Sequence, residues 1–431
     1  MKKYLVLLFS SVFLFACSEE TPPAEPSKYT LTTQVTPDEG GSVFPSTGEY
    51  TDGNQVTVQA TPSQYFEFVK WGGDGNGSTN NPLSVTINSN ISLIAEFGKN
   101  DSDNDGITDD IDECPNTSDG SNVDDKGCCV ESDYVSFQST NNLPDPRAYG
   151  SSAYLDGYIY LSKGAKINQD NTTTSRTKDL IRYDIANDSW TEMTSELIKL
   201  MYGNTEIYNS KVYLLNGDII GGLNDSVEVF NLVTNKRSKL NIVNPYPMEQ
   251  NGSDIWNFHN IIFFGGKDEN GQCTDKIVKF NLNDESFEII GNLPFPICNT
   301  KGEIIDDKLY IIGGYLGSEV SDKILVYNLN NNLWEDPITI SVSISAHTTS
   351  KYNGKIFIRG DYNIKNLFAV FDTNNKSFRI VESDAIDSRH LMSEIVDGKF
   401  YVLGGNISSQ WATILDEIQV LDLENEGYFC Y

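Results

Sequence analysis

The chain has 431 residues and a formal net charge of −30, from 61 acidic against 31 basic side chains. That excess of acid excludes nucleic acid as a partner, since a phosphate backbone needs a basic footprint, and favours cations and basic partners instead. With 39% hydrophobic and 21% charged residues, and with 22 Tyr and 21 Phe, the composition is that of a folded, β-rich chain of two or three domains.

At the N-terminus Lys2 and Lys3 precede an apolar run from Tyr4 to Ala16 that is too short to span a bilayer as a helix. The run ends in Leu14-Phe15-Ala16-Cys17, which resembles the lipobox of bacterial lipoproteins. The resemblance implies a signal peptide over residues 1–17, lipidation of Cys17 and attachment to the membrane through lipid alone. Ser18-Glu19-Glu20 is similar to the acidic signal with which some Gram-negative groups place lipoproteins on the outer face. The expected location is therefore the surface of the bacterial outer membrane. Residues 18–27, with Pro22, Pro23 and Pro26, read as a stiff tether.

Residues 28–98 read as a compact all-β module: YTLTTQV, QVTVQA, YFEFVKW, LSVTI and SLIAEF alternate or run apolar between Gly, Pro and Asn turns. The pattern Gly40-Gly41…Gly48…Tyr50…Ala60-Thr61-Pro62…Trp71-Gly72-Gly73…Ala95-Glu96-Phe97 resembles the divergent internalin-B-type bacterial repeat, which implies a spacer.

Residues 101–113, DSDNDGITDDIDE, carry seven acidic side chains and no base, a cluster that repels itself without a cation. Asp101, Asp103, Asp105 and Asp112 stand at positions 1, 3, 5 and 12 of an EF-hand-like loop. Gly106 supplies the turn, Ile107 a backbone carbonyl, and Asp109 a direct or water-bridged ligand. Hard oxygen donors at this spacing select Ca²⁺. The continuation Asp112-Glu113-Cys114-Pro115 to Gly127-Cys128 resembles a thrombospondin type 3 repeat over residues 101–128, and the resemblance implies a structural calcium joint.

Seven cysteines stand at 17, 114, 128, 129, 273, 298 and 430. With Cys17 lipidated, the other six can pair in an oxidising compartment. We expect Cys114–Cys128, then Cys273–Cys298 and Cys129–Cys430, although spacing fixes no connectivity. The last pair would tie together the two ends of the following domain.

From Arg147 onward a repeat takes over. Short apolar strands after a turn place Ile159, Val212, Ile261, Leu309, Ile356 and Phe400 in one column, at spacings of 53, 49, 48, 47 and 44 residues. A period near 50 means one sheet per unit, stacked because no single unit buries both its faces. The diglycines Gly265-Gly266, Gly313-Gly314 and Gly404-Gly405, the turns such as Tyr183-Asp184 and Phe371-Asp372, and the fourth-strand aromatics Trp190, Phe287, Trp334 and Phe378 resemble the kelch family. The diglycine is degraded to Asn216-Gly217, Arg359-Gly360 and Ser162-Lys163-Gly164. The sixth unit lacks a fourth strand, and Tyr134–Gln138 is expected to supply it. The expected fold is thus all-β: a six-bladed kelch-type β-propeller over 130–431, preceded by a small all-β module and a short calcium-loop connector.

Six residues before the column lie Ala153, Glu206, Ile255, Glu303, Ser350 and Glu394. If this position faces the propeller axis, Glu206, Glu303 and Glu394 converge there and can hold a cation or an amino sugar. Alternation alone does not choose the face. Arg359, Lys301 and His347 are further candidates on the same argument. His259, His347 and His390 are scattered along the chain, without the motif of a copper-radical oxidase. The acid–base residues of a six-bladed sialic-acid mutarotase do not map onto these positions either. The sequence therefore points to a non-catalytic surface lipoprotein whose propeller binds a glycan or a protein at its loop-rich face. The alternative is a carbohydrate-active, mutarotase- or isomerase-like enzyme that uses the channel carboxylates.

Overall fold

The computed structural model describes residues 25–117, 122–167, 174–407, 413–424 and 428–429. The expected signal peptide, Cys17, most of the tether and Cys430 lie outside the described residues. The chain divides into two compact units, and the break falls between Cys128 and Cys129. Among the described residues there is no α-helix, only a single 3₁₀ turn at Asp38–Gly40.

The first unit holds two sheets. One has the order Gly48–Thr51, Lys28–Thr36, Ile91–Lys99, Phe66–Gly73; the other runs Gly41–Phe44, Gln55–Pro62, Leu83–Thr86. Period-two patterning decides their faces: Val56, Val58 and Ala60 are buried while Gln55, Thr57 and Gln59 are exposed. The core closes on Trp71, fully buried, whose indole N–H donates to the Asn80 carbonyl at 2.9 Å. A Cβ at Gly41 would stand 2.5 Å from both the Phe97 ring and the Thr61 carbonyl, so only glycine fits there.

The second unit contains, among the described residues, six antiparallel blade sheets, five of four strands and one of five. Their inner strands are Ser151–Leu155, Asn204–Tyr208, Gly252–Trp256, Lys301–Ile305, Thr348–Tyr352 and Met392–Val396, numbered here as blades 1 to 6. Each inner strand contacts the next, and the first contacts the last, so the ring is closed. The second strands Asn260–Phe264 and Lys355–Arg359 are buried along their whole length, and the other four in all but their first residue, because neighbouring blades cover both faces. Within blades 3 and 4, aromatic pairs join the third strand to the fourth, with Phe280 stacked on its cross-strand partner Phe287 at 4.4 Å and Tyr327 against Trp334 at 4.8 Å.

At one end of the axis a backbone ring ties the blades together. The residue one or two places before each inner strand, namely Tyr149, Tyr202, Gln250, Asn299, Ala346 and His390, has a positive φ between 51° and 62°. Around this ring N–H groups donate to the carbonyl of the preceding blade: Tyr202 to Tyr149, Asn299 to Gln250, Ala346 to Asn299, His390 to Ala346 and Tyr149 to His390. Six non-glycine residues in the left-handed region carry a cost in strain, which these five hydrogen bonds help to offset.

The expected closing strand is present but displaced. Gln138–Ser139, not the whole of Tyr134–Gln138, pairs antiparallel with Ile418–Asp422 and completes blade 6. Tyr134–Val135 instead runs parallel to Glu382–Ser383. The sixth sheet thus takes its outer strand from the start of the unit, which removes an open edge. The pairs Cys114–Cys128 and Cys273–Cys298 form as expected. Cys129 is disulfide-bonded too.

The diglycine register needs one correction. Arg359 is the last residue of its strand, opposite Thr348, so the glycine pair of blade 5 is replaced by Gly360-Asp361. Arg359 is fully buried and donates to the carbonyls of Lys365, Leu367 and Ile386; it holds a loop and does not face the axis. Where the pair is intact the reason is space: a Cβ on Gly266 would stand 2.7 Å from Asn251 Cβ and from the Glu249 carbonyl.

Candidate functional site

The axis opens into a cup of about 350 Å³, walled by all six inner strands. Glu206, Glu303 and Glu394 all line it, so the glutamate column does face the channel. The equivalent residue of blade 3 is Asp254, not Ile255. In five blades a two-residue turn joins the first two strands, which puts Ala153, Glu206, Glu303, Ser350 and Glu394 opposite Tyr160, Tyr213, Tyr310, Phe357 and Tyr401. Blade 3 has three turn residues, Asn257-Phe258-His259, and Asp254 takes the same place opposite Ile262. The cup therefore holds four carboxylates, from blades 2, 3, 4 and 6.

A lysine that the column does not include divides them. Lys351, next to Ser350 on blade 5, pairs with Asp254, lies 3.7 Å from a Glu303 oxygen and donates to the Ile304 carbonyl at 3.1 Å. Asp254 is braced further by the Ile304 N–H at 2.6 Å. Burial disfavours the Lys351 ammonium, but Asp254 and Glu303 outweigh it and hold its pKa above the ordinary lysine value. Glu206 and Glu394 have neutral partners instead. The Ser253 hydroxyl donates to Glu206 at 2.7 Å, and Ser152, whose hydroxyl donates to the Ser393 carbonyl at 3.2 Å, lies beside Glu394. Burial, reinforced by Asp254, pushes Glu206 up to about 8; burial raises Glu394 to about 8 as well, against the pull of Ser152. Glu303 is also raised, by burial and then by Asp254. Such carboxyls hold their protons near neutral pH, which equips them as acids as well as acceptors.

Below the cup a smaller cavity reaches the backbone ring. It shares Gly150, Lys301 and Leu391 with the cup and is lined by Tyr149, Tyr202, His347 and His390. His347 is 2% exposed, and both its ring nitrogens are buried without a partner among the described residues. Burial keeps His347 and His390 neutral, each lowered to about 3. Burial likewise lowers Lys301. The two histidines, distant in sequence, thus share one cavity, while His259 stays on the blade 3 turn. The rings of Tyr149 and His390 pack 4.5 Å apart and those of Tyr149 and Tyr202 5.1 Å apart. Ring-on-ring packing accounts for this group.

In the first unit the aspartate loop gathers in part. One carboxylate oxygen each from Asp101, Asp103 and Asp105 lie within 4.8 Å of one another. The Oδ1 atoms of Asp101 and Asp103 and Oδ2 of Asp105 are buried with no hydrogen-bond partner among the described residues. The remaining oxygens are fixed by the loop's own donors: the N–H of Gly106 to Asp101, of Thr117 to Asp103 and of Ile107 to Asp105. Three aimed and unpaired oxygens suit a hard cation. Asp112 Oδ1 accepts from the Cys114 N–H, and both oxygens of Asp109 accept from Ser102.

The ring of six like sheets with a strand exchanged between its ends defines a kelch-type β-propeller. The profile of the KLHDC2/KLHL20/DRC7 Kelch-repeats domain matches residues 204–405, and that of the Divergent InlB B-repeat domain matches residues 31–101. The chain is 22% identical over 266 residues to beta-scruin of Limulus polyphemus, covering 57% of this chain and 29% of that protein. It is 27% identical over 185 residues to the spermatocyte protein spe-26 of Caenorhabditis elegans, covering 41% and 30%. The chain thus spans about three-tenths of the length of these relatives. Among solved structures, that of YjhT superposes with a TM-score of 0.57 at 11% identity, covering 67% of this chain and 98% of that one. The likeness is one of fold, and a kelch propeller is consistent with a binding or scaffold role.

Proposed function

We propose that the protein is a surface-anchored binding lipoprotein whose propeller takes a glycan into the axial cup. The observation that carries this reading is the cup itself: about 350 Å³, open to the axis, and lined by four carboxylates together with serine and threonine hydroxyls. A concave site of that size with convergent polar groups fits a small polar ligand or the end of a chain. Anchoring through Cys17 and placement on the outer membrane rest on the N-terminal motif. Among the described residues no helix is long and apolar enough to cross a membrane. The aspartate loop is the calcium joint of this reading, with Asp101, Asp103 and Asp105 as its first ligands and Cys114–Cys128 closing the loop behind them. The test is a glycan array probed with the intact protein. Glycans retained by the wild type and released by Glu206→Gln support the reading. Retention unaffected by that change, or a ligand held only on the outer loops, sinks it.

A second reading has one observation in its favour. Glu206 and Glu394 are raised to about 8, the range in which a carboxyl serves as acid and base in turn. A carbohydrate-active enzyme would show turnover of the bound sugar that Glu206→Gln or Glu303→Gln removes. Binding without turnover leaves the first reading alone.

A further inference from the structure

The cup is not evenly charged, and its asymmetry identifies what it lacks. On one side Lys351 neutralises Asp254 and approaches Glu303. On the other side Glu206 and Glu394 line the same cavity, and neither forms an ion pair with a lysine or arginine among the described residues. Glu206 is oriented by the Ser253 hydroxyl and Glu394 has Ser152 beside it, neutral neighbours that supply no charge. Lys301, the other lysine of the wall, sits lower, where the cup joins the floor cavity. A pair of carboxylates lining a cavity among neutral neighbours is arranged for a cation that arrives from outside.

The floor adds an independent indication. His347 presents a neutral imidazole, 2% exposed and with neither nitrogen satisfied, to the cavity that shares the Lys301 wall. Leaving such a group unpaired is costly, and a hydroxyl group or a bound water reaching the floor would satisfy it. The axis therefore offers a cation subsite above and a hydroxyl subsite below.

We propose that the cup recognises an amino sugar, its ammonium group held between Glu206 and Glu394 and a hydroxyl directed towards His347. The inference rests on the reading of the propeller as a glycan-binding module and names the class of glycan. Lys351 stays with Asp254 and Glu303, so the ligand supplies the second positive charge of the cup. The charges that face the incoming ammonium are Glu206, Asp254, Glu303, Glu394, Lys351 and Lys301. Near neutral pH Glu206 and Glu394 both hold their protons. Ammonium entry converts one of them to carboxylate and sends its proton to solvent, so one N–H···O ion pair forms and one O–H bond breaks, while the other carboxyl accepts through its carbonyl oxygen.

Titration calorimetry of the intact protein with glucosamine, glucose, N-acetylglucosamine and n-propylamine tests this. Glucosamine is expected to bind, with glucose and N-acetylglucosamine weaker by about ten- to a hundredfold, the loss that follows removal of a charge-assisted hydrogen bond. At pH 7 the heat should change with buffer ionisation enthalpy, as proton release requires. Glu206→Gln and Glu394→Gln, which keep shape, are each expected to weaken glucosamine by a similar factor, with melting curves confirming the fold. Equal binding of glucose and glucosamine overturns the amine inference while leaving the glycan reading intact. Binding of n-propylamine as tight as that of glucosamine, with no sugar retained on an array, keeps the cation subsite and overturns the sugar. Unchanged affinity in the double variant overturns the site.

Discussion

The aspartate loop and the axial cup are both clusters of acid, and they solve the problem of like charge in opposite ways. In the loop, oxygens of Asp101, Asp103 and Asp105 converge with no internal cation, each fixed from behind by a backbone N–H. In the cup, Lys351 is built in beside Asp254 and Glu303, and burial leaves Glu206 and Glu394 protonated near neutral pH. The difference follows from solvation. A half-buried loop can gather its carboxylates with backbone N–H groups as their only internal partners. A channel inside stacked sheets must neutralise them by a lysine or a proton.

The comparison breaks first at the loop. Calcium at a thousand times its Kd is expected to stabilise the first unit by about 4 kcal/mol, read as a shift of its unfolding transition. Asp101→Asn with Asp103→Asn and Asp105→Asn should abolish both that shift and the calorimetric signal. Chelation should make residues 101–128 sensitive to protease while the propeller survives. A calcium shift of similar size in the propeller transition would erase the distinction between the two clusters.

Lys351→Met is the next largest effect. It leaves Asp254 and Glu303 without their cation, and because Lys351 is partly exposed the expected cost is about 1–3 kcal/mol in denaturant unfolding, below that of a fully buried pair. An unchanged midpoint would show that water, not Lys351, balances those carboxylates.

The smallest effect is in the pH dependence. A carboxyl whose pKa is raised on folding binds its proton more tightly in the native state, so its stabilising effect is present at low pH. That effect is lost as pH rises from the ordinary carboxylate range through about 8. The share of propeller stability due to Glu206 and Glu394 should therefore fall between pH 5 and pH 8, against the opposite contribution of the buried neutral His347 and His390 below about pH 6.5. Relative to the wild type, Glu206→Gln or Glu394→Gln should gain about 1–2 kcal/mol each across this interval, and variants whose profile runs parallel to that of the wild type would contradict the protonated cup.

The parts of this molecule that were legible in its sequence are those written in repeats. The column from Ile159 to Phe400 marks the second strand of every blade, and the glutamates six residues earlier lie on the axis. Asp254 stands seven residues before Ile261, not six, because the blade 3 turn is one residue longer than the others. In a strand a slip of one residue exchanges the two faces, so Ile255 was aligned where Asp254 belongs. Lys351 escaped for a related reason: it is the neighbour of the column residue Ser350, and a long side chain reaches the channel from a position that alternation assigns elsewhere. The meeting of His347 with His390 could not be counted out at all. Both belong to the loops that form the backbone ring, where position is set by closure of the whole disc. Arg359 taught the reverse lesson, since a charged residue at an expected glycine was a strand end with buried carbonyl partners.

The strand Gln138–Ser139 is joined to Val420 and Gln419 by hydrogen bonds that bridge some 280 residues of sequence. During synthesis the early segment must wait, unpaired, until nearly the whole disc has emerged behind it. Blades 1 to 5 can assemble as a growing stack, whereas the last cannot be finished without the first-made piece of the unit. Closing so long a loop is slow but costs little more than closing a shorter one. The chain thus reports its own completeness: a truncated or stalled product has a missing clasp and a bare sheet edge, the feature that quality-control proteases and chaperones meet first.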